Sequence, residues 1–180
     1  MLPSIIAAAQ LNAMQKLASG LPPGDFAEVG VYRGGSASVL YAVALMQGRT
    51  LHLFDTFTGT PFFTEGLDRH RIDDEFADAR AADRIRRELP LANLYVGIYP
   101  ETHPDTLGPL AFVHCDCDQY LSYRAVIDRM WPLVVPGGAM LFDDYPYLEG
   151  AKRAVEESFD VSELHRCGQR YYVIKGEDCG

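Results

Sequence analysis

Several features that would place a protein in a large functional class are missing from this sequence. Among its 180 residues, no apolar run approaches the roughly 20 residues that a membrane-spanning helix needs. The first residues lack the basic region of a secretory signal, and neither low-complexity tracts nor internal repeats are visible. We therefore expect a cytoplasmic protein without a membrane partner, folded as a single domain over residues 1–180.

Basic residues are also scarce. The chain has 16 Lys and Arg against 25 Asp and Glu, which gives a formal net charge of -9. Proteins that bind nucleic acids neutralise phosphates with basic patches, and no run of Lys or Arg is present here. We expect no nucleic-acid partner, and a small-molecule substrate that is neutral or cationic.

Cysteine is sparse as well, with four residues in the chain: Cys115, Cys117, Cys167 and Cys179. Cys115 and Cys117 alternate inside an apolar strand pattern and lack the two-residue spacing of zinc ligands. Buried, reduced thiols are therefore expected.

The sequence does contain a regular alternation of strand and helix patterns. Strands are predicted over residues 26–31, 50–54, 94–98, 111–115, 139–142 and 170–175. Helices are predicted over residues 4–18, 36–46, 74–88, 123–130 and 150–159, the first of them forming, with its linker, residues 1–24. Because each crossover returns the chain to the same end of the sheet, this order predicts a mostly parallel, doubly wound, Rossmann-like α/β sheet. Ligands bind such sheets outside the carboxyl ends of the strands.

A glycine turn follows the first predicted strand, within the segment 28–36. Glycines at a strand-to-helix junction let a ligand approach the backbone, and the helix N-terminus offers free N–H groups. Asp55 follows Gly34 by about 20 residues, where nucleotide-binding folds place an acid for ribose hydroxyls. Gly30 and Gly34 depart from the G-x-G-x-x-G fingerprint, which disfavours NAD and FAD. The simpler interpretation is a tight turn with a solvated acid.

Two pairs of aspartates follow the fourth and fifth predicted strands. Asp116 and Asp118 share a face of an extended backbone, and Asp143 and Asp144 end the next strand. Several carboxylates cannot stay ionised together without a cation or protonation, and such oxygen ligands suit magnesium. The alternative is that Asp143 and Asp144 form a turn and cap the helix predicted at Gly150.

These motifs resemble those of the macrocin O-methyltransferase family, class I methyltransferases that use S-adenosylmethionine to methylate sugar hydroxyls of natural products. The resemblance covers about residues 25–159 and is most specific in segments 116–120 and 142–145. It implies a seven-stranded sheet with an antiparallel last strand. After Tyr120 the family commonly has Glu-Ser-Thr, whereas this chain has Leu121-Ser122-Tyr123, and the family's relatives carry extra N-terminal helices.

The resemblance also assigns roles to residues. The implied cofactor-binding residues are Glu28, Gly30, Tyr32, Gly34, Ser36, Asp55, Thr56 and Asp116. Gly30 and Gly34 would line the methionine end, and Asp55 would hold the ribose. The implied ligands of Mg²⁺ or another divalent cation are Asp116, Asp143 and Asp144, with Asp118 as general base, although roles within the cluster are open to exchange.

Other residues near these motifs have alternative interpretations. His114 and Tyr120 flank the acidic cluster, but a histidine in an apolar strand is more often a packed core residue, and neither is assigned a catalytic role. Residues 60–82 are a candidate lid or a solvated helix with its preceding loop. Five aromatic residues could line an acceptor pocket or belong to the core: Phe57, Phe62, Phe63, Tyr145 and Tyr147.

The leading hypothesis is a metal-assisted O-methyltransferase acting on a hydroxyl of a sugar or other polyol, with a homodimer left open. Its alternatives are a methyltransferase for catechols or phenols and a module that binds S-adenosylmethionine without catalysis. A nicotinamide-dependent oxidoreductase is a weaker rival because its glycine spacing differs.

Overall fold

The computed structural model describes residues 2–69 and 77–176. Within these ranges the strands are β1 Asp25–Val29, β2 Leu51–Asp55, β3 Asn93–Val96, β4 Leu110–Cys115, β5 Val134–Phe142, β6 His165–Cys167 and β7 Arg170–Ile174. The α-helices are α1 Ala8–Ser19, α2 Gly35–Met46, α3 Ala81–Glu88, α4 Tyr120–Met130 and α5 Glu149–Glu156. Short 3₁₀ turns cover residues 131–133 and 161–163.

The strands form one seven-stranded sheet in the order β3-β2-β1-β4-β5-β7-β6. β1 lies at the centre and pairs in parallel with β2 on one side and β4 on the other, while β7 runs antiparallel to both β5 and β6. The predicted doubly wound, mostly parallel sheet with an antiparallel last strand is confirmed. The chain leaves β1 toward one edge and β4 toward the other, so a crevice opens between their carboxyl ends.

Two apolar layers cover the sheet because successive strand residues point to opposite faces. On one face, Phe26 and Phe112 pack with side chains of α1, α2 and α3. On the other, Val113 and Phe142 pack with α4 and α5. Burial of each large apolar side chain contributes roughly 1.5–3 kcal/mol to the free energy of folding. None of the helices in the described ranges is long and apolar enough to cross a membrane.

The main differences from the predictions are three boundaries and one additional strand. The first helix begins at Ala8 rather than at residue 4, because the preceding segment crosses α2, where Leu2 N donates to Ser38 Oγ at 3.1 Å. The helix predicted over 74–88 begins at Ala81; its first three positions lie outside the described residues. β5 begins at Val134, before a Pro-Gly-Gly sequence that interrupts its apolar pattern, and β6 was not predicted.

Candidate functional site

The carboxyl ends of β1, β2, β4 and β5 surround one cleft with a volume of about 270 Å³. The predicted site residues that line it are Gly30, Tyr32, Ser36, Asp55, Thr56, Asp116, Asp118, Asp143 and Asp144. Glu28 and Gly34 lie outside this lining, Glu28 within the sheet and Gly34 at the N-cap of α2. The topology therefore brings residues as far apart in the chain as Gly30 and Asp144 into one place.

Neighbouring protein atoms leave no room for a side chain at the two glycines of the turn. Gly30 has a φ of 90°, and a Cβ on it would lie 1.6 Å from the carbonyl oxygen of Asp116. Gly34 has a φ of 85°, and its Cβ would lie 2.6 Å from Leu2 Cδ1. Side chains rarely adopt such angles, and here they would also clash. The glycines thus allow β1 to approach β4 and α2 to approach the N-terminal segment.

Asp55 organises the loops around the cleft. Its Oδ2 accepts hydrogen bonds from Val31 N at 2.6 Å and Tyr32 N at 2.7 Å, and its Oδ1 accepts from Phe57 N at 2.6 Å. Burial raises the pKa of the Asp55 carboxyl, and these backbone hydrogen bonds oppose the rise. Asp55 therefore binds its own loop and that of β1; its predicted contact with a ribose stays a prediction.

Three residues without the freedom of glycine adopt left-handed backbone angles in the loops around the cleft. They are Tyr32 with a φ of 49°, Phe57 with 54° and Asp118 with 59°. Such conformations cost about 1–3 kcal/mol each and cluster at functional sites. A carboxylate holds the backbone N–H of each: Asp55 holds those of Tyr32 and Phe57, and Asp144 holds that of Asp118 at 3.1 Å. The aspartates of the site therefore stabilise its strained turns.

The predicted acidic cluster is formed. Asp144 Oδ2 accepts from the Tyr123 hydroxyl at 2.9 Å, and burial together with the charge of Asp143 raises the pKa of Asp144 to about 6. Burial and the charges of Asp143 and Asp144 raise the pKa of Asp116 well above its usual range. Within the described residues neither Asp143 nor Asp144 caps α5, whose N-cap is Leu148, so the capping alternative is wrong.

Asp143 differs from its neighbours because cations face it. Arg170, from β7, places Nη2 2.9 Å from Asp143 Oδ2. Burial of Asp143 opposes ionisation, but His114 and Arg170 outweigh it and lower the pKa of the carboxyl. Arg170 also lines the cleft, and no local sequence pattern predicted its role, since it comes from the opposite end of the chain.

His114 lies beside the cluster in the middle of the sheet. Its Nδ1 is 2.9 Å from Glu28 Oε1, and its Nε2 is 3.6 Å from Asp143 Oδ1. Burial opposes protonation of His114, but the hydrogen bonds and charges of Asp143 and Glu28 raise the pKa of the ring well above its usual value. Donor atoms of His114, Asp116 and Asp143 lie within 4.8 Å of one another, a spacing that could hold a metal ion.

The sequence interpretation assigned no role to His114, although a signal was present. His114 and Asp116 are two positions apart, so the alternation of a strand places both on the same face. Tyr120, the other residue left aside, donates to Glu157 Oε2 at 2.8 Å. The sequence also missed Tyr99 and residues 3–6, which line the cleft.

The five aromatic residues considered for an acceptor pocket divide between core and surface. Phe57 and Tyr145 are buried, whereas Phe63 and Tyr147 are exposed and Phe62 is half-buried. Within the described ranges, the lining of the cleft includes none of the five. An acceptor wall of these side chains therefore stays a prediction.

The candidate lid, residues 60–82, includes residues 70–76, which lie outside the described residues. The parts on either side are attached to the rest of the protein. Gln119 Oε1 accepts from Phe62 N at 2.8 Å, Asp68 Oδ1 accepts from Tyr120 N at 2.7 Å, and Arg33 Nε lies 3.1 Å from Asp78 Oδ2. These contacts connect both flanks to the edge of the cleft.

This arrangement combines two chemical capabilities. The glycine turn and the N-terminus of α2 offer backbone surface to a small molecule, and the carboxylates beside them can accept a proton or hold a cation. Both face one cleft, so a bound molecule and an acidic proton acceptor would be neighbours.

Several known proteins and one family model are similar to this chain. The family model described as Macrocin-O-methyltransferase (TylF) matches residues 7–166. A tetracenomycin 4'-O-methyltransferase of Streptomyces olivaceus, which acts on a dimethoxy-rhamnosyl derivative, is 31% identical over 159 residues, covering 78% of this chain and 59% of that protein. Mycinamicin III 3''-O-methyltransferase of Micromonospora griseorubida is 27% identical and covers 81% and 67%.

Solved structures show the same fold. The O-methyltransferase NovP superposes with a TM-score of 0.80 at 23% identity, covering 96% of this chain and 82% of that one. The calicheamicin methyltransferase CalS11 gives a TM-score of 0.77 at 21% identity, covering 93% and 77%. The seven-stranded sheet is thus the fold of class I O-methyltransferases.

Coverage is unequal in the two directions. The chain spans 59% and 61% of the length of the first two curated relatives that it matches. The family model, in contrast, matches 7–166 of the 180 residues. The chain belongs to the macrocin O-methyltransferase family.

Proposed function

We propose that this protein is an S-adenosylmethionine-dependent O-methyltransferase that methylates a hydroxyl of a sugar or a related natural product. The observation that carries the proposal is the shared cleft, where the glycine turn after β1 meets the four aspartates after β4 and β5. Membership of the family supports the reaction, and the rhamnosyl substrate of the tetracenomycin 4'-O-methyltransferase supports the acceptor class.

The cofactor would occupy the part of the cleft beside Gly30, Tyr32 and Ser36. Asp55 and Thr56 would face its ribose, while Gly34 would act indirectly by shaping the turn and Glu28 by its contact with His114. The positive sulfonium would lie near the acidic cluster, where carboxylates favour a cation. Methyl transfer needs the acceptor oxygen, methyl carbon and sulfur nearly in line, so positioning by these residues is the main contribution to rate.

Asp118 is proposed as the proton acceptor for the hydroxyl. It lines the cleft, and the bond from its N–H to Asp144 fixes its strained backbone. A carboxylate placed there can take the hydroxyl proton as the oxygen attacks the methyl carbon. Arg170 and His114 keep Asp143 ionised nearby, and Tyr123 holds Asp144 in place.

A divalent cation fits the remaining donors. Asp116 and Asp143 contribute oxygens within 4.8 Å of a buried imidazole nitrogen, and Asp144 has one carboxylate oxygen beyond those contacts. We propose these three aspartates as its ligands. When bound, the cation would lower the pKa of an acceptor hydroxyl and offset the repulsion among the carboxylates.

Asp118→Asn tests the proposal. Labelled methyl transfer from S-adenosylmethionine should be followed across panels of glycosides, nucleoside diphosphate sugars and catechols. We expect wild-type transfer to a glycoside or sugar, and loss of about 10²–10⁴-fold in rate in Asp118→Asn with unchanged cofactor affinity. Asp128→Asn, at an exposed position of α4, is the matched control.

Transfer to catechols alone would contradict the acceptor class. Full activity in Asp118→Asn would contradict the role of that residue. Absence of transfer together with absence of cofactor binding would contradict the enzyme class.

A further inference from the structure

Arg33 is one of the two cationic side chains in the described lining of the cleft. The other is Arg170, whose Nη2 lies 2.9 Å from Asp143 Oδ2, among the carboxylates that follow β4 and β5. Arg33 belongs to the glycine turn after β1, and its side chain is 46% exposed. Since β7, which carries Arg170, lies three strands from β1 in the sheet, the two arginines serve different parts of the cleft.

The contacts of Arg33 occupy only part of its guanidinium. Nε lies 3.1 Å from Asp78 Oδ2, and the guanidinium carbon lies 4.9 Å from the centroid of the Tyr32 ring. A guanidinium carries five N–H donors in a planar fork, and one carboxylate occupies two of them at most. With respect to the described residues, Arg33 therefore retains donors for a second carboxylate.

Asp78 fixes the position of Arg33 from the chain just before α3. Its Oδ1 accepts from Arg80 N at 3.2 Å, and its own N–H donates to Phe57 O at 3.2 Å. Arg84 Nη2 lies 3.6 Å from the same Asp78 oxygen that Arg33 contacts. An arginine that is already held in place loses less conformational entropy when a ligand binds. Arg33 is thus preorganised at the edge of the cleft.

The proposed cofactor carries one group that most of the cleft does not suit. S-adenosylmethionine has a sulfonium and an ammonium, which are cationic, and one α-carboxylate. Five aspartates line the cleft, so they attract the two cationic groups and repel the carboxylate. A carboxylate that leaves water needs a cation or several N–H donors. In the part of the lining that the glycine turn forms, Arg33 is that cation.

We propose that Arg33 binds the α-carboxylate of S-adenosylmethionine through its Nη atoms while Nε stays on Asp78. The inference rests on the proposed function and orients the cofactor in the cleft. The carboxylate lies at the glycine turn, and the sulfonium lies toward the aspartates after β4 and β5. This orientation separates the like charges and directs the methyl group toward Asp118. Arg33 binds the cofactor and takes no part in proton transfer.

The test removes the carboxylate from the ligand and the guanidinium from the protein. Metal-stripped protein is titrated calorimetrically with S-adenosylmethionine and with its decarboxylated analogue, which keeps the adenosine, sulfonium and ammonium groups. We expect the wild-type protein to bind the analogue about 10–100-fold more weakly, the range typical of hydrogen bonds to a charged group. Arg33→Gln should lose that factor for S-adenosylmethionine and bind the analogue as the wild type does.

Three further variants separate binding from structural support. Arg84→Gln, the matched control, removes the other arginine at Asp78, which lies outside the described cleft lining, and should keep the wild-type ratio of the two affinities. Asp78→Asn breaks the ion pair but leaves the guanidinium, and should affect both ligands alike. Arg33→Lys keeps the charge without the planar fork, and its ratio should lie between those of the wild type and Arg33→Gln.

The outcomes distinguish this inference from the proposed function. Equal wild-type affinity for the two ligands would overturn it. So would a wild-type ratio in folded Arg33→Gln, which would assign the carboxylate to the N–H groups of α2, and so would equal weakening of both ligands, which would mean a purely structural role. If Arg33→Gln does not fold, Arg33→Lys decides, and an unchanged ratio there overturns the assignment. The proposed function fails separately, if the wild-type protein binds neither ligand.

Discussion

At the scale of single residues, Gly30 is where the fold and the site constrain each other most closely. Its N–H donates to Phe54 O at 3.0 Å, and its α-carbon faces the carbonyl of Asp116 across the crevice. We expect Gly30→Ala to separate the ends of β1 and β4, at a cost of roughly 4 kcal/mol or more, and to abolish cofactor binding. Urea unfolding and calorimetric titration with S-adenosylmethionine measure the two effects.

Gly48 provides the control for that substitution. It also has a positive φ, 66°, but a Cβ there would meet nothing within 4 Å. Gly48→Ala should therefore cost only the left-handed strain of about 1–2 kcal/mol and leave cofactor binding unchanged. Equal losses in the two variants would mean that backbone strain, and not the approach of β1 to β4, explains Gly30.

Burial of His52, on β2, predicts how the stability of the protein depends on pH. Burial lowers the pKa of its ring, against the opposing hydrogen bond and charge of Asp25. In the unfolded chain the histidine has a pKa of about 6.5, so as the pH falls the unfolded state takes up a proton on His52 before the folded state does. The stability that the neutral, buried ring contributes above that pH is therefore lost as the pH falls. We expect His52→Gln to flatten the decline in urea midpoint between about pH 7 and pH 5.

His165→Gln, at an exposed position of β6, serves as the comparison. It should retain the wild-type pH slope. An equal flattening in both variants would show that the slope does not arise from the burial of His52.

The sequence predicted those site residues that belong to a recognisable local pattern. Aspartates at strand ends were identified because each follows an apolar strand by one to three positions, and Asp55 because of its distance from the glycine turn. The contribution of Glu28 through His114, and that of Arg170 through Asp143, depends on strand register and on the antiparallel return of β7. Neither contact can be predicted from the spacing of residues along the chain.

At the scale of elements, the N-terminus of α4 is capped by a distant segment. Gln119, at the N-cap, directs its side chain to Phe62 N, and Asp68 accepts from Tyr120 N at 2.7 Å and from Thr64 N at 2.6 Å. We expect Asp68→Ala to lower the free energy of unfolding by about 0.5–2 kcal/mol. Amide hydrogen exchange at Tyr120 and Thr64 should become faster.

Asp83→Ala is the matched control, because Asp83 lies in the first turn of α3 with its side chain 87% exposed. It should change stability by less than about 0.5 kcal/mol. Unchanged exchange at Tyr120 in Asp68→Ala would contradict the capping role of Asp68.

Elements with a long apolar pattern were predicted, and those without one were not. β6 spans only His165–Cys167, which is too short to show an alternating apolar pattern. It forms because it pairs with β7. The turn between them is held by the buried side chain of Gln10, whose Nε2 donates to Cys167 O at 3.0 Å. Such a strand is specified by tertiary contacts and not by its own sequence.

At the scale of the whole molecule, the sheet concentrates negative charge at the carboxyl ends of its parallel strands. The chain has a net charge of -9, and five aspartates line the cleft against two arginines, Arg33 and Arg170. Both arginines pair with aspartates, Asp78 and Asp143 respectively. This field favours the approach of a cationic ligand, in agreement with a sulfonium cofactor and a divalent ion.

The central claim is that the cleft binds S-adenosylmethionine, and calorimetric titration of the metal-stripped protein with that molecule tests it most directly. We predict saturable binding at one site per chain, with no binding of NADH in a parallel titration and loss of binding in Gly30→Ala. Absence of S-adenosylmethionine binding to the folded wild-type protein, both without metal and with added Mg²⁺ or Co²⁺, would contradict the account.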